Sequence, residues 1–241
     1  MEQEWKGERL GKFTASEIGK LMVKGRSKDQ YFGEGAMTYI ESRAAEIFNQ
    51  VPVSDLEGMR SIEWGNENEP IAAGLISEYF KGNFEYFGKH NPKFYPYEPV
   101  AKWSGGSPDG IAVKNAVVEI KCPETSTHHI KYWRIKEGAD LKDVKPLYYG
   151  QIQFNMMCTS LDRGYFISYD PRPLSREVRM KILEVPYDKA YCKELDERLN
   201  RAVDELRSIV FGDVLGQKIV VAKYDAAVKA TIIEDANALK F

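Results

Sequence analysis

Apolar residues recur every three or four positions in several segments of the chain. This spacing is typical of helices that bury one face. It predicts helices over 36–49, from a start near 66–69 to 80, over 147–157 and over 187–211. Two shorter helices are predicted, one after Thr14 or Ser16 and one over 125–135, because Ser and Thr are favoured N-cap residues.

A period of two residues marks the strands. Val178, Met180 and Ile182 alternate with Arg179 and Lys181, which is typical of a half-exposed strand. Further extended segments lie at 84–87, 100–103 and 165–169, and we expect 100–103 to pair with the hairpin described next. Helices, a strand meander, and then a helix, strands and a helix follow one another, which indicates an α/β fold with a mixed central sheet flanked by helices.

A β-hairpin over 109–121 carries the most informative residues. β-branched residues occupy both arms, and Lys114-Asn115 can form the turn because Asn tolerates the left-handed conformation. Asp109 begins the first arm. Glu119 and Lys121 lie two residues apart on the second arm, so their side chains share one face of the sheet while Ile120 points to the other.

Two carboxylates and an ammonium group at one end of a hairpin suggest metal-assisted hydrolysis of a phosphodiester. Asp109 and Glu119 supply the oxygen ligands that Mg²⁺ or Mn²⁺ prefers. Lys121 is not a Mg²⁺ ligand, but it can orient or deprotonate a water molecule or neutralise a phosphate. An ordinary hairpin with a surface Glu-x-Lys pair would show the same short pattern, so the neighbouring segments must decide between the two interpretations.

Three neighbouring segments contribute candidate residues, each with a plain structural alternative. Arg9 precedes a capped helix start that could bind an anion, although a solvated arginine fits equally well. Glu69 lies near a predicted helix start, where an acidic residue is favourable for dipole reasons alone. Gln151 and Asn155 lie one turn apart on one helix face, and they form either a plain polar stripe or a polar surface directed at the active site or the DNA. Adjacent His128 and His129 diverge by about 100° on a helix, so we expect surface or DNA-facing polar residues.

Composition restricts the class of protein but does not indicate nucleic-acid binding. The 241 residues are 43% hydrophobic and 29% charged, with a net charge of −2, which is ordinary for a globular protein. We expect no signal peptide and no membrane span, because the first residues are acidic and polar and no apolar run approaches membrane-spanning length. Three cysteines without a CxxC motif suggest reduced thiols. A DNA enzyme of this charge would need a local basic lining.

The motifs taken together resemble a known nuclease family. Ser107-Pro108-Asp109-Gly110 with Glu119-Ile120-Lys121 resembles the PD-(D/E)xK signature, and the fold it implies is the restriction-endonuclease-like core. The set falls in the same order as in the lambda-exonuclease-like, YqaJ-type viral recombinase nucleases, over roughly residues 5 to 212. The further matching motifs are Arg9-Leu10-Gly11, Thr14-Ala15-Ser16, Trp64-Gly65, Glu69, Tyr148, Gln151-Ile152-Gln153 and Tyr169-Asp170-Pro171-Arg172.

The resemblance implies a metal-dependent 5′→3′ exonuclease that degrades one strand of double-stranded DNA from its end and leaves a 3′ overhang for phage-type recombination. An endonuclease of the same fold and a DNA-binding module without catalysis are the alternatives. By resemblance, each site residue takes one of four roles. Two Mg²⁺ ions, with Mn²⁺ as a substitute, would be held by Asp109, Glu119, the Ile120 carbonyl and Glu69. Lys121 would activate the water, and the site would be supported or lined by Gln151 and Tyr148. The 5′-phosphate would be bound by Arg9, Ser16 and Ser107.

The resemblance also implies a homotrimeric ring around DNA, a single-strand annealing protein as partner and the cytoplasm of a bacterial host as location, with a phage or prophage gene and no membrane. We expect a single nuclease domain over 1–241, with a candidate C-terminal appendage at about 213–241 to which the resemblance does not extend.

Overall fold

A computed structural model describes residues 2–27, 29–53, 60–112 and 115–214. The helices and strands follow in chain order. They are α1 (Glu2–Arg9), β1 (Phe13–Thr14), α2 (Ala15–Ile18), α3 (Glu34–Asn49), α4 (Arg60–Tyr79), β2 (Phe84–Tyr86), β3 (Tyr95–Pro96), β4 (Ser104–Gly106), β5 (Gly110–Ala112), β6 (Ala116–Lys121), α5 (Ser126–Trp133), α6 (Leu141–Val144), α7 (Pro146–Thr159), β7 (Arg163–Tyr169), β8 (Met180–Pro186) and α8 (Lys189–Arg207), which continues as a π-helix over Ser208–Val214. The proposed appendage at about 213–241 lies almost wholly outside the described residues and stays a prediction.

A five-stranded mixed sheet forms the centre, in the order β2-β5-β6-β7-β8. Only the β6–β7 pair is parallel, and the other pairs are antiparallel. A smaller sheet, in the order β1-β4-β3, carries a parallel β1–β4 pair. This architecture confirms the predicted α/β fold with a mixed sheet flanked by helices.

The two faces of the central sheet pack against different helices. Val117 and Phe166 belong to the larger apolar cluster, which includes residues of α3, α7 and α8. Val118, Ile120 and Ile167 face the other way and pack against α4. Side chains on β6 therefore alternate between the two layers, as a strand requires, and Glu119 lies on the face opposite Ile120.

The predicted hairpin is present. β5 and β6 pair with Gly110 opposite Val118, and Asn115 has a left-handed φ of 55° next to the first residue of β6. The strand that pairs with its outer arm, however, is β2. Our prediction that 100–103 fills this position was wrong, because those residues form a turn leading into β4 of the smaller sheet.

Helix α4 differs from its prediction in where it begins. It already runs from Arg60, so Pro70 lies inside the helix and Glu69 lies in its middle, not near its start. The favourable interaction with a helix N-terminus, which was the structural alternative for Glu69, therefore does not apply. Ile71, predicted on the buried stripe, is 54% exposed, and Ala72, Ala73 and Ile76 form the buried face.

Two smaller predictions had different outcomes. The helix after Thr14 exists but is only four residues long, and Thr14 makes no side-chain capping bond. His129 is fully buried and hydrogen-bonds Ser168 Oγ at 2.7 Å, so its placement on the surface was wrong, whereas His128 is exposed. Within the described ranges, no helix is both long and apolar enough to cross a membrane.

Candidate active site

Asp109, Glu119 and Lys121 come together at the end of the β5–β6 hairpin. Lys121 Nζ lies 2.5 Å from Glu119 Oε1, because the two side chains share one face of β6. Asp109 Oδ2 accepts a hydrogen bond from the Ile120 amide at 2.6 Å. The three residues of the predicted PD-(D/E)xK signature therefore form one cluster, with the Glu119 side chain only 1% exposed.

Ile120 contributes its backbone at the same edge of the strand. β5 stops pairing with β6 after Gly110 and Val118, and Asp109 takes the next position along β6. The amide and the carbonyl of one strand residue point to the same edge, so the Ile120 carbonyl faces the Asp109 side. Its role as an oxygen ligand stays a prediction.

The carboxylates of the cluster carry more negative charge than Lys121 compensates. Burial and the Asp109 carboxylate raise the pKa of Glu119 to about 8. Burial also raises the pKa of Asp109, against the opposing effects of Lys121 and the Ile120 amide. For Lys121, burial alone would lower the pKa, but Glu119 and Asp109 outweigh it and raise the pKa. At neutral pH the cluster therefore retains a proton that a cation could replace.

Glu69 reaches the cluster from α4. Its Oε1 accepts a hydrogen bond from the Tyr86 hydroxyl at 2.8 Å. Burial and then Asp109 raise the pKa of Glu69 to about 7. Glu69 is thus a third carboxylate within electrostatic reach of Asp109, as predicted, although it arrives there from mid-helix.

Helix α7 closes the site above the sheet. Asn155 Nδ2 donates to Glu119 Oε2 at 3.2 Å, and the Lys121 Nζ lies 5.1 Å from the ring centroid of Tyr148. Gln151, one turn before Asn155, is buried on the same helix. Tyr148 therefore lines the site as predicted, whereas a contact of Gln151 with Lys121 or water stays a prediction.

The predicted phosphate-binding residues lie at one edge of the smaller sheet. Ser107 follows β4 and Ser16 follows β1, and these two strands are parallel neighbours, so both serines leave the sheet at the same end. Trp5 Nε1 donates to Ser107 Oγ at 2.9 Å, and the Arg9 guanidinium lies 4.3 Å from the centroid of the Trp5 ring. Arg9 is also close enough to Asp109 to oppose the rise that burial causes in the pKa of that carboxyl group, and Glu119 in turn opposes the lowering of the pKa of Arg9 by burial.

The donor set fits a hard divalent cation. Within the described ranges, no group of three or more His, Cys, Asp or Glu side chains is assembled as a ready metal site. The Asp109 and Glu119 carboxyl groups, however, lie near enough to interact by a hydrogen bond when one is protonated. Two neighbouring carboxyl groups with a backbone carbonyl beside them are an all-oxygen arrangement that Mg²⁺ or Mn²⁺ suits.

Two residues of the site escaped the sequence analysis. Tyr86 and Trp5 are aromatic residues whose polar atoms hold Glu69 and Ser107. Asn155, which holds Glu119, was predictable because it shares a helix face with Gln151. The other two contacts join residues 17 and 102 positions apart, which no local pattern reveals.

Comparison with known proteins gives the family. The model of the YqaJ-like viral recombinase domain matches residues 4–162. The chain belongs to this family. No curated protein sequence matches the chain. The family assignment confirms the resemblance drawn from the ordered motifs.

Solved structures agree on the fold. An alkaline exonuclease from Laribacter hongkongensis, LHK-Exo, is 24% identical, has a TM-score of 0.71, and covers 90% of this chain and 98% of its own. The same enzyme in complex with dAMP gives a TM-score of 0.70 at the same identity and coverage. A phage-related exonuclease from Haemophilus somnus 129PT is 14% identical, with a TM-score of 0.65 and coverage of 83% and 95%. Family and fold together support a nuclease function.

Proposed function

We propose that this protein is a metal-dependent 5′→3′ exonuclease that shortens one strand of double-stranded DNA from its end and leaves a 3′ overhang for phage-type recombination. The observation that carries the proposal is the cluster of Asp109, Glu119 and Lys121 at the end of the β5–β6 hairpin, with Glu69 beside it. Such a cluster is costly to bury unless a cation and a reaction use it.

The side chains divide the work of phosphodiester hydrolysis between them. Asp109, Glu119, the Ile120 carbonyl and Glu69 are the oxygen donors that would hold two Mg²⁺ ions, or Mn²⁺ in their place. These ions would supply charge neutralisation at the phosphate and at the departing oxygen. Lys121 lies against Glu119 and orients the attacking water. Asn155 donates to the other oxygen of the Glu119 carboxylate, Oε2.

Arg9 and the serines account for the choice of a DNA end. Arginine binds phosphate through two parallel hydrogen bonds, and the serine hydroxyls supply further donors. A pocket of Arg9, Ser16 and Ser107 beside the carboxylates would hold a terminal 5′-phosphate while the next phosphodiester meets Lys121. An enzyme that cuts within a strand has no use for such a pocket.

The assembly and setting belong to the same proposal. The chain carries a net charge of −2, so it attracts DNA only if its basic residues line a restricted surface. A homotrimeric ring around the duplex would provide such a lining. We further propose a single-strand annealing protein as partner, double-stranded DNA ends as substrate and the cytoplasm of a bacterial host as the location.

Digestion of matched linear and closed circular duplexes tests the function. We expect linear DNA to be degraded with Mg²⁺ and spared with EDTA, while the closed circle stays intact under both conditions. Cleavage of the circle would favour an endonuclease of the same fold. Binding of linear DNA without any metal-dependent product would favour a binding module.

A further inference from the structure

Arg172 lies beside the candidate active site and links the segment that follows β6 to helix α4. Its guanidinium donates to the carbonyls of Pro123 and Glu124, at 3.1 and 2.6 Å, and these residues lie two and three positions after the last residue of β6. It also lies 4.5 Å from the centroid of the Trp64 ring on α4. The end of the strand that carries Glu119 and Lys121 is thus tied to the helix that carries Glu69.

Asp170 holds this arginine in place. Its carboxylate accepts from Arg172 Nε at 2.7 Å and from Nη2 at 2.9 Å, the fork geometry of a strong arginine–carboxylate pair. Ser126 at the start of α5 donates to the same carboxylate at 2.7 Å. Burial opposes ionisation of Asp170, but these hydrogen bonds outweigh it and keep its pKa below the ordinary value.

Helix α4 needs such a tie because its two halves are held differently. The C-terminal half is anchored to the sheet by Ala72, Ala73 and Ile76. Pro70 lacks the amide that would bond the carbonyl four residues earlier, so the helix is weakened next to Glu69. The turns before Pro70 therefore depend on contacts of their own, and Trp64 against Arg172 is one of them.

We propose that Arg172, fixed by Asp170, is a positioning residue that holds the first half of α4 against the end of β6 and so places the Glu69 carboxylate beside Asp109. This inference rests on the proposed function, in which Glu69 helps to hold the cations. Arg172 touches neither substrate nor cation in this account and acts only through Glu69. It gives a purpose to the Trp64 and Asp170-Pro171-Arg172 motifs, which the catalytic cluster leaves unused.

A double-mutant cycle separates positioning from general support of the fold. The exonuclease rate at saturating Mg²⁺ should fall at least tenfold in Arg172→Gln, but less than twofold when the same change is made in a Glu69→Gln background, because the residue acted upon is already gone. Equal losses in the two backgrounds would overturn the inference. Arg60→Gln is the matched control. Arg60 lies on α4 and pairs with Glu124 of the same loop at 2.9 Å, but it is 87% exposed, against 40% for Arg172, and so exposed an ion pair adds little to the position of the helix.

Two further arms keep the test decisive. Arg172→Lys retains the charge beside Asp170 but lacks the planar fork, so it should melt within a few degrees of wild type and still show the reduced rate. Mn²⁺ affinity, measured by electron paramagnetic resonance without DNA, should fall at least threefold in Arg172→Gln and stay unchanged in Arg60→Gln. Unchanged affinity in both variants would refute the inference even if the wild type digested no DNA, a result that by itself would refute only the proposed function.

Discussion

The raised pKa of Glu119 predicts how the cation-free protein responds to pH. Its ordinary value is 4.5, and burial together with Asp109 raises the folded-state pKa to about 8. Between these values the folded protein keeps a proton that the unfolded chain has released. Stability linked to this group is therefore fully present below about pH 4.5 and is lost as the pH rises through about 8.

The size of the effect follows from the two pKa values. Their difference of about 3.5, at about 1.4 kcal/mol for each pKa unit, gives an upper limit of ~5 kcal/mol. Glu119 titrates together with the Asp109 carboxyl group, and the measured loss belongs to the pair, so we expect roughly half of this value for Glu119.

Substitution of Glu119 by Gln isolates this contribution. Gln keeps the size of the side chain but cannot ionise. In EDTA, the free energy of unfolding in urea should fall by about 2–3 kcal/mol more in wild type than in Glu119→Gln between pH 5 and pH 9. Mg²⁺ added at pH 9 should restore much of the wild-type loss, because the cation replaces the proton, and should do little for the variant.

A surface carboxylate provides the control for this comparison. Glu177 is exposed on the segment between β7 and β8, so Glu177→Gln should lose as much stability as wild type over the same pH range. If Glu119→Gln and wild type lost equal stability between pH 5 and pH 9, the assignment of the retained proton to Glu119 would be refuted.

Three further substitutions test the site. Lys121→Ala should abolish cleavage while DNA binding, measured by fluorescence anisotropy, persists; full activity in this variant would remove the proposed mechanism. Arg9→Ala should slow digestion mainly on 5′-phosphorylated ends, and equal slowing on 5′-hydroxyl ends would contradict the phosphate pocket. Gly106→Ala would place a Cβ 2.3 Å from Asn155 Oδ1 and displace the amide from Glu119, so it should cost about 1–3 kcal/mol in urea unfolding and lower the rate. Gly74→Ala is its control, since nothing lies within 4 Å of the new Cβ, and an unchanged Gly106→Ala would show that Asn155 is dispensable.

Local patterns carried enough information to predict the central hairpin and its chemistry. The alternation along β6 places Glu119 and Lys121 on one face whatever the rest of the chain does, and Asn115 takes the left-handed conformation that a tight turn requires. Long amphipathic helices such as α3 and α8 were equally accessible from their spacing. These features depend on neighbours within a few residues.

The predictions that failed depended on tertiary contacts. Pro70 usually favours the first turn of a helix, yet α4 extends ten residues before it, beginning at Arg60. His129 is buried because Ser168 and the Val178 carbonyl, far along the chain, satisfy its ring nitrogens. Neither partner can be recognised from the residues around it.

Strand β4 shows a third kind of failure. Its sequence, Ser104-Gly105-Gly106, has low strand propensity, and the residue pattern favoured a strand at 100–103 instead. Glycine is required at these two positions because a larger residue would clash with its neighbours. A Cβ on Gly105, for example, would lie 2.3 Å from the Phe94 ring. Only the packed structure shows this steric requirement. Ser107 follows directly after this strand and is placed at the site by it.

The most direct test of the central claim is digestion of a linear duplex labelled at either the 5′ or the 3′ end of one strand. The proposed polarity and chemistry predict early release of the 5′ label as a mononucleotide, with Mg²⁺ present and not with EDTA, while the 3′ label stays in long fragments. Early release of the 3′ label would contradict the polarity, and internal fragments carrying either label would contradict the exonuclease itself.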